Sequence, residues 1–188
     1  MEVAGNVSSE FSEHEVIQKV AKGSRNDFRH LVSAHQEQIY LMILKSVGDE
    51  QIARELTQDT FLKAYLNISK FRFQSSFSTW LTRIALNSTS SYFTSKRFKQ
   101  KQRTITFDAT QHRHNNLEAD DRFDDEAIER LRLAIARLKP IYRDVLTLCA
   151  LERKSYEEAA TLLEVPIGTV RSRLNKARNL LRKMYFKV

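Results

Sequence analysis

The sequence predicts an all-α protein of two small helical domains, an N-terminal helical bundle and a C-terminal helix-turn-helix, joined by a flexible linker. Three observations point there. Four glycines and two prolines in 188 residues leave too little turn chemistry for a many-hairpin β fold. Apolar residues recur at helical spacing along most of the chain. The charge is also segregated into blocks. Residues 1–95 balance ten basic against ten acidic side chains, residues 96–115 carry six basic and one acidic, and residues 116–127 carry six acidic and one basic. Residues 128–188 return to fourteen basic and six acidic.

The first block reads as four helices. A short one over about 13–22 has Val16, Ile17, Val20 and Ala21 at helical spacing. Ser24-Arg-Asn-Asp27 resembles a capping box with Asp in the Glu or Gln position. It should open a long helix bearing Phe28, Leu31, Val32, Ile39, Ile43 and Val47. Gly48-Asp49 stops that helix and caps the next, whose apolar face is Ile52, Ala53, Leu56, Phe61, Ala64, Tyr65 and Ile68. Ser76 or Ser78 caps a fourth, with Trp80, Leu81, Ile84, Ala85 and Ser88 inward, running toward the basic stretch Lys96 to Arg103.

The expected domains are 1–103, a linker at 104–124 without sustained periodicity, and 125–188. In the second domain one helix carries Ile128, Leu131, Ile135 and Leu138 before Lys139-Pro140 interrupts it. Another carries Val145, Leu148 and Leu151. Ser155-Tyr-Glu-Glu158 is a capping box, Val165-Pro-Ile-Gly168 makes a turn, and Thr169 is expected to cap a last helix. That helix turns Val170, Leu174, Ala177, Leu181 and Met184 inward. Two helices joined by a tight turn, the second one basic, form a helix-turn-helix.

Composition narrows the function. The chain carries net charge +8, with seven Lys or Arg and no carboxylate beyond Glu164. A one-signed helical tail fits a polyanion partner. One cysteine, Cys149, forms no internal disulfide and reads as core, which suits a reducing compartment. No apolar run approaches the roughly 18 residues of a membrane span, and the N-terminus lacks a signal-peptide pattern. A cytoplasmic protein is expected. No cofactor or metal site is expected either. The glycines are scattered rather than clustered for a phosphate, and His112-Arg-His114 has no Cys beside it. Asp120, Asp121, Asp124 and Asp125 sit on the expected linker, which would not hold them at two-metal geometry.

On the last helix, burial of Val170, Leu174 and Ala177 leaves Arg171, Ser172, Asn175, Lys176 and Arg178 outward. Arg and Asn are the side chains that read guanine and adenine edges in a major groove. Thr169 at the helix start suits a phosphate. A helix-turn-helix alone does not say which kind of DNA-binding protein this is.

The first domain separates the candidates. Glu55-Leu-Thr-Gln-Asp-Thr-Phe-Leu-Lys-Ala-Tyr65, Phe71-Arg and Phe77-Ser-Thr-Trp-Leu-Thr-Arg-Ile-Ala-Leu-Asn87 occur in order. Leu138-Lys-Pro, Ser155-Tyr-Glu-Glu-Ala-Ala160 and Val165-Pro-Ile-Gly-Thr-Val-Arg-Ser-Arg-Leu174 follow. Together these resemble the extracytoplasmic-function (ECF) sigma factors, the small two-domain bacterial group. The resemblance covers about residues 13–97 and 125–185.

That resemblance implies a non-enzymatic initiation subunit that binds core RNA polymerase, recognises −35 and −10 promoter elements and promotes melting. Glu55, Gln58, Asp59 and Leu62 match the surface that docks on the β′ clamp helices, and helical spacing puts them on one face. The β flap is the second implied polymerase contact. Arg72, Phe73, Gln74, Ser75, Arg83 and Asn87 match the −10-capturing part, with Phe71 and Phe77 beneath it as core. Such a loop offsets the cost of unstacking a base by accepting it in a pocket. Phe73-Gln74 departs from the family, where Gly followed by an acidic residue is common, so the base preferred at −10 stays open. Lys96, Arg97, Lys99, Lys101 and Arg103 would follow phosphates. Arg171, Ser172, Asn175 and Lys176 match the −35-reading positions, with Thr169 toward a phosphate and Arg173 and Arg178 as phosphate contacts or helix-surface charges. Glu164 stands where a small residue is frequent. The family also implies an anti-sigma factor, membrane-anchored, that would hold the protein at the inner membrane face. The acidic part of the linker would either follow the nascent-RNA channel or serve as solvated spacer.

Geometry permits the scheme. Elements about two and a half turns apart span about 85 Å at about 34 Å per turn. A linker of about 20 residues extends to about 70 Å, and each half has a radius of gyration near 12 Å. Two other readings compete. A ligand-sensing two-domain regulator would bind duplex tightly without polymerase, and a metal-dependent nucleic-acid enzyme would act on DNA until chelated.

Overall fold

The computed structural model describes residues 12–98, 100 and 121–185, and every regular element among them is helical. Lys99, Lys101, Arg103, His112 and His114 lie outside the described residues, as does most of the expected linker.

α1 (Glu13–Ala21) is capped by the Ser12 hydroxyl and buries Val16, Ile17 and Val20. α2 (Phe28–Val47) starts without the expected capping box. Instead the Ser24 hydroxyl donates to the Asp27 carboxylate at 2.7 Å. Aspartate is one methylene shorter than the glutamate that reaches back in a true box, so it takes the hydroxyl. At its other end Gly48 adopts φ 67° and closes its N–H on the Leu44 carbonyl, the usual left-handed helix stop. A side chain there would also collide with the Arg132 guanidinium.

Asp49 caps α3 (Glu50–Asn67) through a 3.0 Å bond from the Ile52 N–H. A 3-10 turn, Ile68–Lys70, ends it. Ser76 rather than Ser78 caps α4 (Phe77–Thr94). The first core joins Ile39, Ile43, Ala53, Ala64, Phe77, Leu81 and Ala85, each large side chain contributing about 1.5–3 kcal/mol. Thr57, Thr60 and Thr89 are buried too. Their hydroxyls return to carbonyls one turn earlier, which satisfies them without any outside partner.

α5 (Asp121–Ala136) begins at Asp121, ahead of the expected start near Asp125. Asp121, Asp124 and Asp125 therefore lie on its opening turns. α6 (Pro140–Leu146) has proline at its first position, where the missing N–H costs nothing. It passes into a π turn, Thr147–Leu151, rather than continuing as the single helix expected. α7 (Tyr156–Leu163) shows the expected capping box, with both Ser155–Glu158 bonds formed. α8 (Ile167–Tyr185) opens earlier than expected. The Pro166 carbonyl accepts the first N–H bonds, from Thr169 and Val170. Thr169 thus sits inside the first turn and is not the cap, because a proline entry already fixes the helical φ.

The two domains lie against each other. α4 packs on α7, and α2 on the π turn and α5. Leu86 of α4 belongs to the C-terminal core with Leu138, Val145, Leu148, Val170 and Leu174. Phe93 and Phe98 enclose Ala136.

Candidate nucleic-acid interface

α8 is built as an amphipathic blade. Val170, Leu174 and Ala177 are fully buried, while Arg171, Ser172, Asn175, Lys176 and Arg178 are exposed, and Thr169 and Arg173 are half-buried. The turn before it is set by Glu164, in the left-handed region at φ 53°, ψ 44°. The Val165 N–H reaches back to the Ala160 carbonyl at 3.1 Å, the long bond of a Schellman ending. The Ser172 hydroxyl donates to the Thr169 carbonyl, and the Arg171 guanidinium lies 5.7 Å over the Tyr156 ring.

In the first domain the structure brings Glu55, Gln58, Asp59 and Leu62 to one side of α3. Glu55, Gln58 and Leu62 are exposed and Asp59 is half-buried. Opposite them lie Ile52, Ala53, Thr60, Phe61 and Ala64, all buried. Leu66, 66% exposed against 57% for Leu62, extends the same face. Sequence reasoning passed over it, although its i+4 spacing from Leu62 was the signal. Asp59 pairs with Lys63 at 2.6 Å. Glu55 takes a two-pronged bond from Arg97 at 2.5 and 3.3 Å, and that hydrogen bond holds its carboxyl below the usual carboxylate range. The candidate polymerase residue and the candidate phosphate residue are thus each other's partner.

The loop after the 3-10 turn presents Arg72, Phe73 and Gln74 to solvent, with Ser75 half-buried. Phe73 has φ 56°, and its ring lies 4.8 Å from Phe71 and 4.3 Å from His14. Phe71 and Phe77 are buried beneath it. Trp80, expected in the core, is only half-buried and touches both rings. It also lines an open cleft of about 400 Å³ with Lys63, Asn67, Lys70, Ile84, Asn87 and Ser91. An indole wall, two amides and two ammonium groups give this cleft a stacking surface, hydrogen-bond donors and positive charge. Those are the properties that hold an unstacked nucleotide. Asn87 is in the cleft. Arg83 does not line it; its guanidinium turns across the domain seam to α7. Lys96 and Arg97 are exposed beyond.

The seam also holds two charged side chains that sequence reasoning missed, Arg143 buried and Asp144 half-buried. Arg143 is 3% exposed. It donates to the carbonyls of Ile135, Ala136 and Leu138 at 3.3, 2.7 and 2.6 Å, and lies 4.3 Å over the Phe93 ring. Burial pulls its pKa down to about 10. Asp144 accepts from the Ser90 hydroxyl at 3.3 Å, and burial pushes its pKa up to about 6. Among the described residues no His, Cys, Asp and Glu side chains cluster as a metal site, and no helix is long and apolar enough to cross a membrane.

Comparison with known proteins agrees with this layout. Residues 31–99 match the Sigma-70 region 2 family and residues 128–181 the Sigma-70 region 4 family. The RNA polymerase sigma-H factor of Pseudomonas aeruginosa is 32% identical over 91% of this chain and 92% of its own. The ECF RNA polymerase sigma factor SigW of Bacillus subtilis is 30% identical over 89% and 93%. The chain belongs to the ECF sigma factor family. The region 2 match spans α2–α4, and the region 4 match contains the α7–α8 helix-turn-helix. The solved structure of CnrH in complex with the cytosolic domain of CnrY shares the fold, with a TM-score of 0.58 at 22% identity. It covers 90% of this chain and 94% of CnrH. Sigma factors are DNA-binding initiation factors rather than enzymes by family.

Proposed function

We propose that this sigma factor is a dissociable initiation subunit working as two readers and one dock. The exposed α3 face of Glu55, Gln58, Asp59 and Leu62, extended by Leu66, docks on the β′ clamp helices, and region 4 engages the β flap. The loop Arg72–Ser75, the Asn87 cleft and the cations Lys96 and Arg97 receive the −10 element as it unstacks, with Arg83 joining them once free. α8 enters the major groove at −35, with Arg171 and Asn175 toward base edges, and Thr169, Ser172, Arg173 and Lys176 toward base edges and phosphates. Residues 1–103 and 125–188 act as the two domains and 104–124 as their linker. The polymerase supplies the catalysis.

The observation that carries this reading is the segregation on α8. A helix whose buried face fixes it to α7 and whose open face carries cations and amides with no carboxylate is shaped for a polyanion groove. The complex of CnrH with CnrY supports a further part of the scheme. An anti-sigma factor, membrane-anchored, would restrain this chain in the cytoplasm at the inner membrane face until a signal releases it.

Run-off transcription on fragments of the source genome, with bacterial core polymerase and with or without this protein, tests the reading. Discrete new transcripts sharing upstream motifs are the expected result. Tight duplex binding by the chain alone, with no polymerase complex in native mass spectra of the same mixture, would instead make it a two-domain regulator.

A further inference from the structure

The assignment of Arg83 to −10 DNA meets an observation that resemblance does not supply. Its guanidinium reaches out of α4 to the end of α7. Nε donates to the Leu162 carbonyl at 2.8 Å and one Nη to the Thr161 carbonyl at 2.7 Å. The other Nη pairs with the Glu164 carboxylate. The last carbonyls of a helix lack intrahelical donors and carry its negative end, so a guanidinium fork satisfies two of them at once. Glu164 completes the grip, and it does so from a left-handed conformation that glycine adopts without cost. A glutamate that tolerates this backbone and aims its carboxylate across a domain boundary has a role that a turn alone does not require.

Other contacts run along the same seam. Lys45 pairs with Glu152 at 3.0 Å, Ser90 donates to Asp144, and Leu86 enters the C-terminal core. In this arrangement Arg83 is bound to the helix-turn-helix itself. The −10 and −35 readers lie side by side, whereas the elements they serve are about 85 Å apart.

We infer that Arg83, Glu164 and the C-terminal end of α7 form an intramolecular latch that keeps the free sigma factor closed and must open before promoter DNA is read. The inference takes its functional consequence from the proposed −10 role of Arg83. The latch itself stands on the seam geometry. Glu164→Gly removes the carboxylate and suits the φ 53° backbone, so the fold is retained. Arg83→Gln removes all three bonds.

The experiment uses the full chain with spin labels at Arg29→Cys and Asn179→Cys in a Cys149→Ser background, reading the interdomain distance distribution. Roughly a threefold to tenfold rise in the open fraction is expected for Arg83→Gln. A smaller rise is expected for Glu164→Gly, because the partly exposed ion pair is screened. The double variant should add nothing beyond Arg83→Gln, as members of one network do not add. Unchanged distributions in both single variants would overturn the latch. A −10 non-template oligonucleotide, titrated into Glu164→Gly, separates the two ideas. Tighter binding is expected of the opened chain. A chain that opens without binding more tightly keeps the latch and removes Arg83 from the −10 site.

Discussion

Regions 2 and 4 solve the same problem, presenting charge to a partner, in opposite ways. Over residues 1–95 acids and bases are equal in number, and the functional candidates are partnered within the chain. Glu55 holds Arg97, Asp59 holds Lys63, and Arg83 holds the end of α7. Region 4 ends in a helix whose charged side chains are all basic. On the proposed roles, region 2 would exchange internal partners for external ones, which favours contacts made stepwise during melting. Among the described residues the cations of α8 make no ion pair, only contacts such as that of Arg171 with the Tyr156 ring, so on the proposed roles less is exchanged and its field would steer the encounter. The difference separates a surface that waits from a surface that attracts.

The largest test of that contrast targets Arg143, whose contacts lie in both regions. Arg143→Met keeps the stem and leaves the carbonyls of Ala136 and Leu138 without their donor, while that of Ile135 keeps the Leu138 N–H. A buried acceptor left unpaired costs about 1–3 kcal/mol, so a loss of about 3–5 kcal/mol in region 4 is expected. The single tryptophan, Trp80, reports on region 2 alone. Urea melts followed by far-UV circular dichroism should shift strongly, while the Trp80 transition moves less. Coincident shifts would mean that the two regions unfold as one unit.

How much of this was legible in sequence follows from the same residues. Periodicity located the helices, since Ile39 and Ile43 on α2, and Val170, Leu174 and Ala177 on α8, recur at helical spacing and are all buried. Caps with a full reach were legible too, as at Asp49 and Ser155. Thr169 misled because Pro166 had already begun the helix, and Ser24-Asp27 misled by one methylene. The seam was illegible. A period of 3.6 says which face is buried but not that Arg83 buries against residues far along the chain. Nor does a local pattern distinguish Arg143 from a solvated arginine, because its acceptors are the carbonyls of a helix end.

The next effect is smaller and confined to α8. Arg171→Ala should cost about 1–3 kcal/mol in binding to −35-containing promoter fragments by the holoenzyme, the range for a bidentate base contact. Lys176→Ala should cost less and reduce the salt slope by about one. Core-polymerase affinity should be intact in both, measured by the holoenzyme's dissociation constant. A loss of polymerase binding in either variant would move part of the dock onto α8.

The smallest effect, and the one that best resolves the seam, is a pH dependence centred on Asp144. Burial raises its pKa from 3.8 to about 6, against the Ser90 hydrogen bond and the charges of Arg143 and Arg173, which pull it down. The folded state therefore holds this proton more tightly than the unfolded chain does. Stability is greatest below the unfolded value and falls as pH rises through the window from about 4 to about 6. Glu158 has the opposite sign: the Ser155 N–H holds its carboxyl low, so its contribution is present above the unfolded pKa and lost as pH falls. The Asp144 component is isolated by difference. Asp144→Asn keeps an oxygen for Ser90 and removes the charge. It should raise stability by about 1–2 kcal/mol near pH 7.5, and flatten the fall between about pH 4 and 6 in parallel urea melts. A variant less stable than the parent at pH 7.5 would show that Arg143 and Arg173 hold the ionised carboxylate more strongly than burial penalises it. The seam would then be an ion-paired joint rather than a dry one.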